Sequence, residues 1–223
     1  MRAITKLRVR YSKNQDARMS SHLEVISAIK NCVDRSGLPV CRRGGVNKKM
    51  CIAFGPPLPA GYTSRCELFD AEMLQRVEPE AALRAMAANI RPGFEILSVI
   101  SIPVFSPPVD TAVNVAGYTL WNLGEIENRD GKLTEFLSKK EYPIERITDK
   151  SAHTIDARPL VREIAAAGEG ISVLLRFGPK RTVKPDILVQ KIFSLDEERR
   201  AAMRTERTSF YFENGDGALR PAC

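Results

Sequence analysis

A Gly-Gly turn flanked by cations, a histidine beside two serines, and a strand that alternates base with hydrophobe are the parts of this chain suited to chemistry on phosphates. The turn is Arg42-Arg43-Gly44-Gly45-Val46-Asn47-Lys48-Lys49. Two glycines permit positive φ and close backbone approach, so amide N–H groups can join four cations around an anion. The run matches neither the phosphate loop of nucleotide hydrolases nor the dinucleotide fingerprint. A phosphodiester backbone is therefore a better ligand than a nucleotide, and a plain hairpin turn is the simpler alternative. Upstream, Lys6, Arg8 and Arg10 alternate with Leu7, Val9 and Tyr11. This period-2 pattern predicts a half-buried strand with three cations about 6.5–7 Å apart on its open face, close to the phosphate spacing of an extended nucleic acid. No aromatic alternates with them for base stacking, so the contact they imply is to backbone. An edge strand guarded by charge against aggregation is the other reading. Lys13, Arg18 and Asn47 complete the candidate nucleic-acid-binding set.

His22 follows Ser20 and Ser21 at the start of a predicted helix, where backbone N–H groups can orient a phosphate. With Tyr11 or Lys48 it forms a candidate acid–base pair for a metal-independent ribonuclease. A histidine packed on the sheet is the plainer reading, and His153 is read as structural. Cys32, Cys41, Cys51, Cys66 and Cys223 are odd in number and irregularly spaced, without close C-x-x-C pairs. They read as reduced thiols, mostly core, so neither metal nor cofactor is expected; a site built from Cys32, Cys41, Cys51 and Cys66 is the alternative. Asp16, Asp70 and Glu72 do not form a convincing metal cluster.

Positioning these residues requires an ordered scaffold, and 223 residues suffice for two small cores. The net charge of +7 is concentrated at one end: residues 1–50 hold twelve bases and three acids, +9, leaving −2 for the rest. Such asymmetry is the electrostatic footprint of a polyanion partner, with a solvated basic face as the alternative. No apolar run approaches the ~18 residues of a membrane span, and the N-terminus alternates unlike a signal peptide, so no membrane association and a cytoplasmic location are expected.

The first half reads strand, helix, strand, strand, helix, strand. Ser21 and Glu24 make a capping box, Ile26, Ile29 and Val33 share a helix face, and Pro79 opens a second helix. After Ser106-Pro107-Pro108, the candidate linker, the order recurs: a strand over 113–123, a helix over 132–139, a strand at 144–147 or 153–157, a strand over 171–177, a helix from Pro185 and a strand over 207–212. The expected fold class is α+β, two tandem ferredoxin-like (βαββαβ) sandwiches with antiparallel sheets. Their spans are 1–106, basic, and 109–213, with 214–223 a flexible tail. Trp121 and Phe105 are expected in the core, and Arg158 is expected to be extended before Pro159 and paired with Asp156.

The run from Tyr11 to Val40, with Ser12-Lys13, Asp16, Arg18 and Ser21-His22-Leu23-Glu24, resembles the bacterial radical SAM-linked family, domain of unknown function 2344. Gly45-Val46-Asn47, the segment Phe54-Gly55-Pro56-Pro57-Leu58-Pro59, Asp156-Ala157-Arg158-Pro159 and Lys184-Pro185-Asp186 extend the resemblance over most of the chain. Glu24 stands where Asp is commoner, and Lys48-Lys49 where a Pro-containing stretch is usual. The family supplies no activity to carry over. Its members occur beside or fused to radical SAM proteins, so the resemblance implies a radical SAM protein partner. The C-x-x-x-C-x-x-C cluster motif of those enzymes is absent from this chain.

Three functions follow as expectations. The first is an RNA-binding accessory module that presents a structured RNA (tRNA or rRNA) to a separate radical SAM modification enzyme. The second is a metal-independent ribonuclease or RNA-modifying enzyme, in which His22, Tyr11 and a lysine of the turn converge in one cleft. The third is a protein-interaction scaffold whose basic face meets an acidic partner and which exposes a larger apolar patch.

Overall fold

In the computed structural model, residues 2–148, 151–178 and 182–222 are described, with the backbone alone for 146–148 and 151–153. The alternation at the N-terminus produces β1, Thr5–Lys13. Leu7, Val9 and Tyr11 pack into a core with Val25, Ala28, Ile29, Cys32 and Val33 of α1, His22–Arg35, and with Ala82 and Met86 of α2, Pro79–Ala87. Between the helices lie β2 (Arg42–Arg43), β3 (Lys49–Met50), β4 (Ile52–Phe54) and the long β5 (Tyr62–Met73). After α2 comes β6, Phe94–Ile102.

Within this first unit, which runs through Val113, the sheet order is β4-β5-β1-β6 with every pairing antiparallel. β1 is thus paired on both sides, by β5 and β6, and needs no charge to guard an edge. Its cations serve another purpose. β2 and β3 form a separate two-stranded ribbon. Ser106 and Pro107, expected as linker, belong to this unit because their carbonyls accept hydrogen bonds from Lys6 and Arg8.

The second unit, Asn114–Pro221, holds β7 (Val115–Trp121), α3 (Arg129–Ser138), β8 (Pro143–Thr148), β9 (Ser151–Asp156), β10 (Val161–Ala167) and β11 (Gly170–Arg176). Then come α4 (Pro185–Phe193), α5 (Glu197–Ala202), β12 (Arg204–Glu213) and β13 (Leu219–Pro221). Within this unit β10, β11, β7, β12 and β13 pair in that order, all antiparallel. α3 and α4 touch each other and lie against β10, β11 and β7. The fold class is α+β.

Several elements differ from the sequence reading. Both candidate second strands exist, but β8 and β9 pair with one another as a hairpin, and β10 takes the place beside β11. The chain after Asn214 is not free along its length, since Leu219–Pro221 pairs with β12. Phe105 is 91% exposed, because it sits in the turn beyond the end of β6, and Trp121 is exposed because Leu120 takes the inward position beside it. Arg158 opens a 3-10 turn, Arg158–Leu160. Its guanidinium donates to the carbonyls of Leu137 and Val161, both at 3.2 Å, while Asp156 accepts the amides of Tyr142 and Arg158, so the expected ion pair is replaced by backbone contacts. The side chain of His153 and all of Cys223 lie outside the described residues. No helix among those residues is long and apolar enough to cross a membrane.

Candidate functional site

The Gly-Gly turn is the loop of the β2–β3 ribbon, with Arg42 opposite Met50 and Arg43 opposite Lys49. Gly44 has φ +120°, and a Cβ there would lie 3.1 Å from the carbonyl oxygen of Asn47, so the tight return needs glycine. Every residue from Arg42 to Lys49, Asn47 included, is exposed. Arg42 pairs with Asp34 of α1, and Arg43 with Glu72 of β5 at 2.5 Å. Lys48 and Lys49 make no ion pair among the described residues. Two of the four expected phosphate ligands therefore brace the ribbon and two face solvent. The Arg42–Asp34 pair is exposed on both sides and so worth little, and an incoming phosphate can take Arg42 at small cost.

The β1 cations divide differently. Lys6 and Arg8 are buried, 6% and 9% exposed, and do not stand on an open surface. Lys6 Nζ donates to the Ser106 carbonyl at 2.8 Å. Arg8 donates from Nε and Nη2 to the two carboxylate oxygens of Asp70, at 2.8 and 2.9 Å, and from Nη2 to the Pro107 carbonyl. Sequence alternation placed these side chains on one face but could not show that the 103–108 segment covers it. Arg10, half-buried on the same face, has a buried Nε without a hydrogen-bond partner. Arg18 is half-buried, and its carbonyl accepts the Gly61 amide at 2.9 Å.

Lys13 is 1% exposed, which removes it from the surface contacts; its Nζ donates to the Ser20 carbonyl at 3.1 Å. It lines a small cleft with Tyr11, His22, Val25 and Glu67, closed by the segment from Phe54 to Leu58. β1 slips register against β5 between Tyr11 and Lys13, and Tyr11 stands opposite Glu67. Such an irregularity re-aims side chains at the end of a strand. His22 enters as the first residue of α1, held there by the capping box: the Ser21 amide donates to Glu24 Oε2 at 2.7 Å and the Glu24 amide to Ser21 Oγ at 3.4 Å. The Ser21 amide and hydroxyl hold the Glu24 carboxyl below its ordinary value. The structure brings His22 and Tyr11 to one cleft. The lysine there is Lys13, with no lysine of the turn in the lining. The cleft is narrow, about 10 Å³, near the volume of one water. Glu67, which sequence reading did not single out, gives no motif signal; only the strand register places it.

The cysteines do not gather as four. Cys32 donates from its thiol to the Met86 carbonyl in the core, and Cys66 lies 3.6 Å from the Ser64 hydroxyl. Cys41 and Cys51 instead bracket the basic ribbon at its base, where they meet Glu72. Burial, and then the hydrogen bond with the Cys41 thiol, push the Cys51 thiol up to about 11, so it is no nucleophile at neutral pH. Glu72, beside Cys51 and Cys41, favours the charged form of Arg43. Only the paired registers of three short segments reveal this grouping.

The lysine, arginine, histidine and proline segments described above all fall within a stretch that also carries a family signature. No curated protein matches the chain. The model of a family described as an uncharacterized protein conserved in bacteria, domain of unknown function 2344, matches residues 6–185, and the chain belongs to that family.

Proposed function

We propose that this protein is an RNA-binding accessory module that presents a structured RNA, a tRNA or rRNA, to a separate radical SAM modification enzyme in the cytoplasm. The observation that carries the reading is the exposed β2–β3 ribbon, which holds out Arg42, Arg43, Lys48 and Lys49 around a turn that only glycine allows. Cations on an exposed ribbon contact a sugar–phosphate backbone without reading bases, which suits recognition of RNA shape. The +9 charge of residues 1–50 supplies long-range attraction to the same polyanion.

The finer architecture belongs to the proposal as well. The orders β6-β1-β5-β4 and β12-β7-β11-β10 support reading each unit as a ferredoxin-like sandwich, with the β2–β3 ribbon and the β8–β9 hairpin as insertions. The radical SAM partner rests on the family resemblance, because this chain has no cluster-binding cysteine motif of its own.

A second reading is favoured by one observation: the cleft that unites Tyr11, Lys13, His22 and Glu67. An imidazole, a phenol, an ammonium and a carboxylate are the parts of a metal-independent acid–base site for RNA cleavage or modification. Both readings are tested by mixing purified protein with total cellular RNA across a salt series and running the RNA on a gel. Tight, salt-sensitive binding of intact RNA supports the presenting module. Cleavage that disappears in His22→Ala transfers the function to the cleft. Absence of binding at low salt rejects both and leaves the protein-interaction scaffold.

A further inference from the structure

Cys41, Cys51 and Glu72 come from three separate segments, yet each is held by its backbone to the next. The Cys51 amide donates to the Cys41 carbonyl at 2.8 Å, the Cys41 amide to the Glu72 carbonyl at 2.7 Å and the Glu72 amide to the Cys51 carbonyl at 3.0 Å. The pairing explains this triangle. Cys41 and Cys51 are the next pair in the register of β2 with β3, and Cys51 and Glu72 the next pair in that of β4 with β5. Their two sulfurs and a carboxylate oxygen lie within 4.8 Å of one another.

We propose that these three side chains form a zinc(II) site, with Cys41 Sγ, Cys51 Sγ and a Glu72 carboxylate oxygen as ligands. Thiolates select zinc over magnesium or calcium, and tetrahedral zinc accepts two sulfurs and one oxygen with a fourth position left over. Metal–ligand bonds of about 2.0–2.3 Å require donors roughly 3.5–3.8 Å apart, a small inward adjustment of side chains whose backbones are already fixed. Charge balances as well. Two thiolates, one carboxylate and Zn²⁺ sum to −1, and Arg43, 2.5 Å from Glu72, supplies the compensating +1. The cluster borders a pocket of about 250 Å³ lined by Lys6, Arg43, Cys51, Asp70 and Glu72, which gives a water or other fourth ligand room. Binding releases two thiol protons and changes no oxidation state. The site clamps the base of the basic ribbon to β5, and its existence does not depend on what the ribbon binds.

The test uses the full chain, reduced and stripped with chelator, titrated first with Co²⁺ and then with Zn²⁺. One equivalent of Co²⁺ is expected to give thiolate-to-cobalt charge-transfer absorption and tetrahedral visible bands, both erased by one equivalent of Zn²⁺. Cys51→Ser should lose at least half of the charge-transfer intensity, Glu72→Gln should weaken zinc affinity by about tenfold or more, and Cys66→Ser should leave both unchanged. A reduced wild-type protein that gives no charge-transfer band overturns the proposal. Bands indifferent to Cys51→Ser do so too, as does a Cys41–Cys51 disulfide whose reduced form takes up no Co²⁺.

Discussion

Arg8 illustrates how a cation that looks like a ligand from the sequence becomes part of the architecture. Its guanidinium and the Asp70 carboxylate are both buried and bonded at two points. Removing one member of such a pair leaves a charge without solvent or partner, at a cost of about 3–5 kcal/mol, whereas replacing both with apolar groups is often close to neutral. Asp70→Ala is therefore expected to lower the urea midpoint sharply, and the Arg8→Met/Asp70→Leu double variant to recover most of the loss. Equal loss in both would show that apolar side chains cannot take the place of the pair. The side on which Arg8 lies was legible from its alternation with Leu7 and Val9. Its partner was not, because Asp70 is brought opposite it only by the β1–β5 register. The same holds for Lys13 and Glu67, and for Cys41, Cys51 and Glu72: each residue is plain in the sequence, while their meeting is a property of strand pairing.

At the scale of elements, local signals were readable and long-range ones were not. The capping box of Ser21 and Glu24 announced α1, and the structure forms both of its hydrogen bonds. Ser21→Ala should cost about 1 kcal/mol, read from thermal unfolding, and should loosen the placement of His22 at the helix start. The 3-10 turn Gln15–Ala17 leads into that helix and packs against Gly93. Gly93 has φ +92°, and a Cβ there would stand 2.7 Å from Ala17 Cβ and 2.9 Å from its backbone nitrogen. Gly93→Ala is expected to destabilise by more than about 1 kcal/mol, since strain and clash act together. β10 escaped the sequence reading because VREIAAA is rich in alanine and charge and poor in the branched residues that mark strands. Its arginine explains part of its hold: Arg162 pairs with Glu213 of β12, and Arg176 of β11 donates to the same carboxylate at 2.6 and 2.9 Å. Arg176, with Arg162 behind it, holds the Glu213 carboxyl below its ordinary value. A depressed carboxylate pKa stabilises the fold above the unfolded value, and that contribution is lost as pH falls through the folded value. Unfolding temperature should thus drop on acidification through that range. Glu213→Gln should lower stability at neutral pH and flatten the acid limb.

For the molecule as a whole, the uneven distribution of charge makes a prediction that no single residue does. Residues 1–50 carry +9 while the remainder carries −2, so attraction to a polyanion comes from one end of the sequence. Within that end, Lys6, Arg8 and Lys13 are buried, whereas Lys48 and Lys49 stand exposed on the ribbon, and Arg2 and Arg35 are exposed elsewhere. Each phosphate contact releases counterions and steepens the fall of log affinity with log salt by about 0.7–0.9. The Lys48→Ala/Lys49→Ala variant should therefore show a shallower slope, by about 1.4–1.8, when bound to tRNA across a salt series. A matched removal of exposed charge from the second unit, Lys140→Ala/Lys191→Ala, should leave the slope unchanged, although it alters net charge equally. If both pairs shift the slope alike, attraction is a matter of total charge and the ribbon has no special role. If only the ribbon pair does, phosphates meet the protein there, on a hairpin whose base is set by Cys41, Cys51 and Glu72.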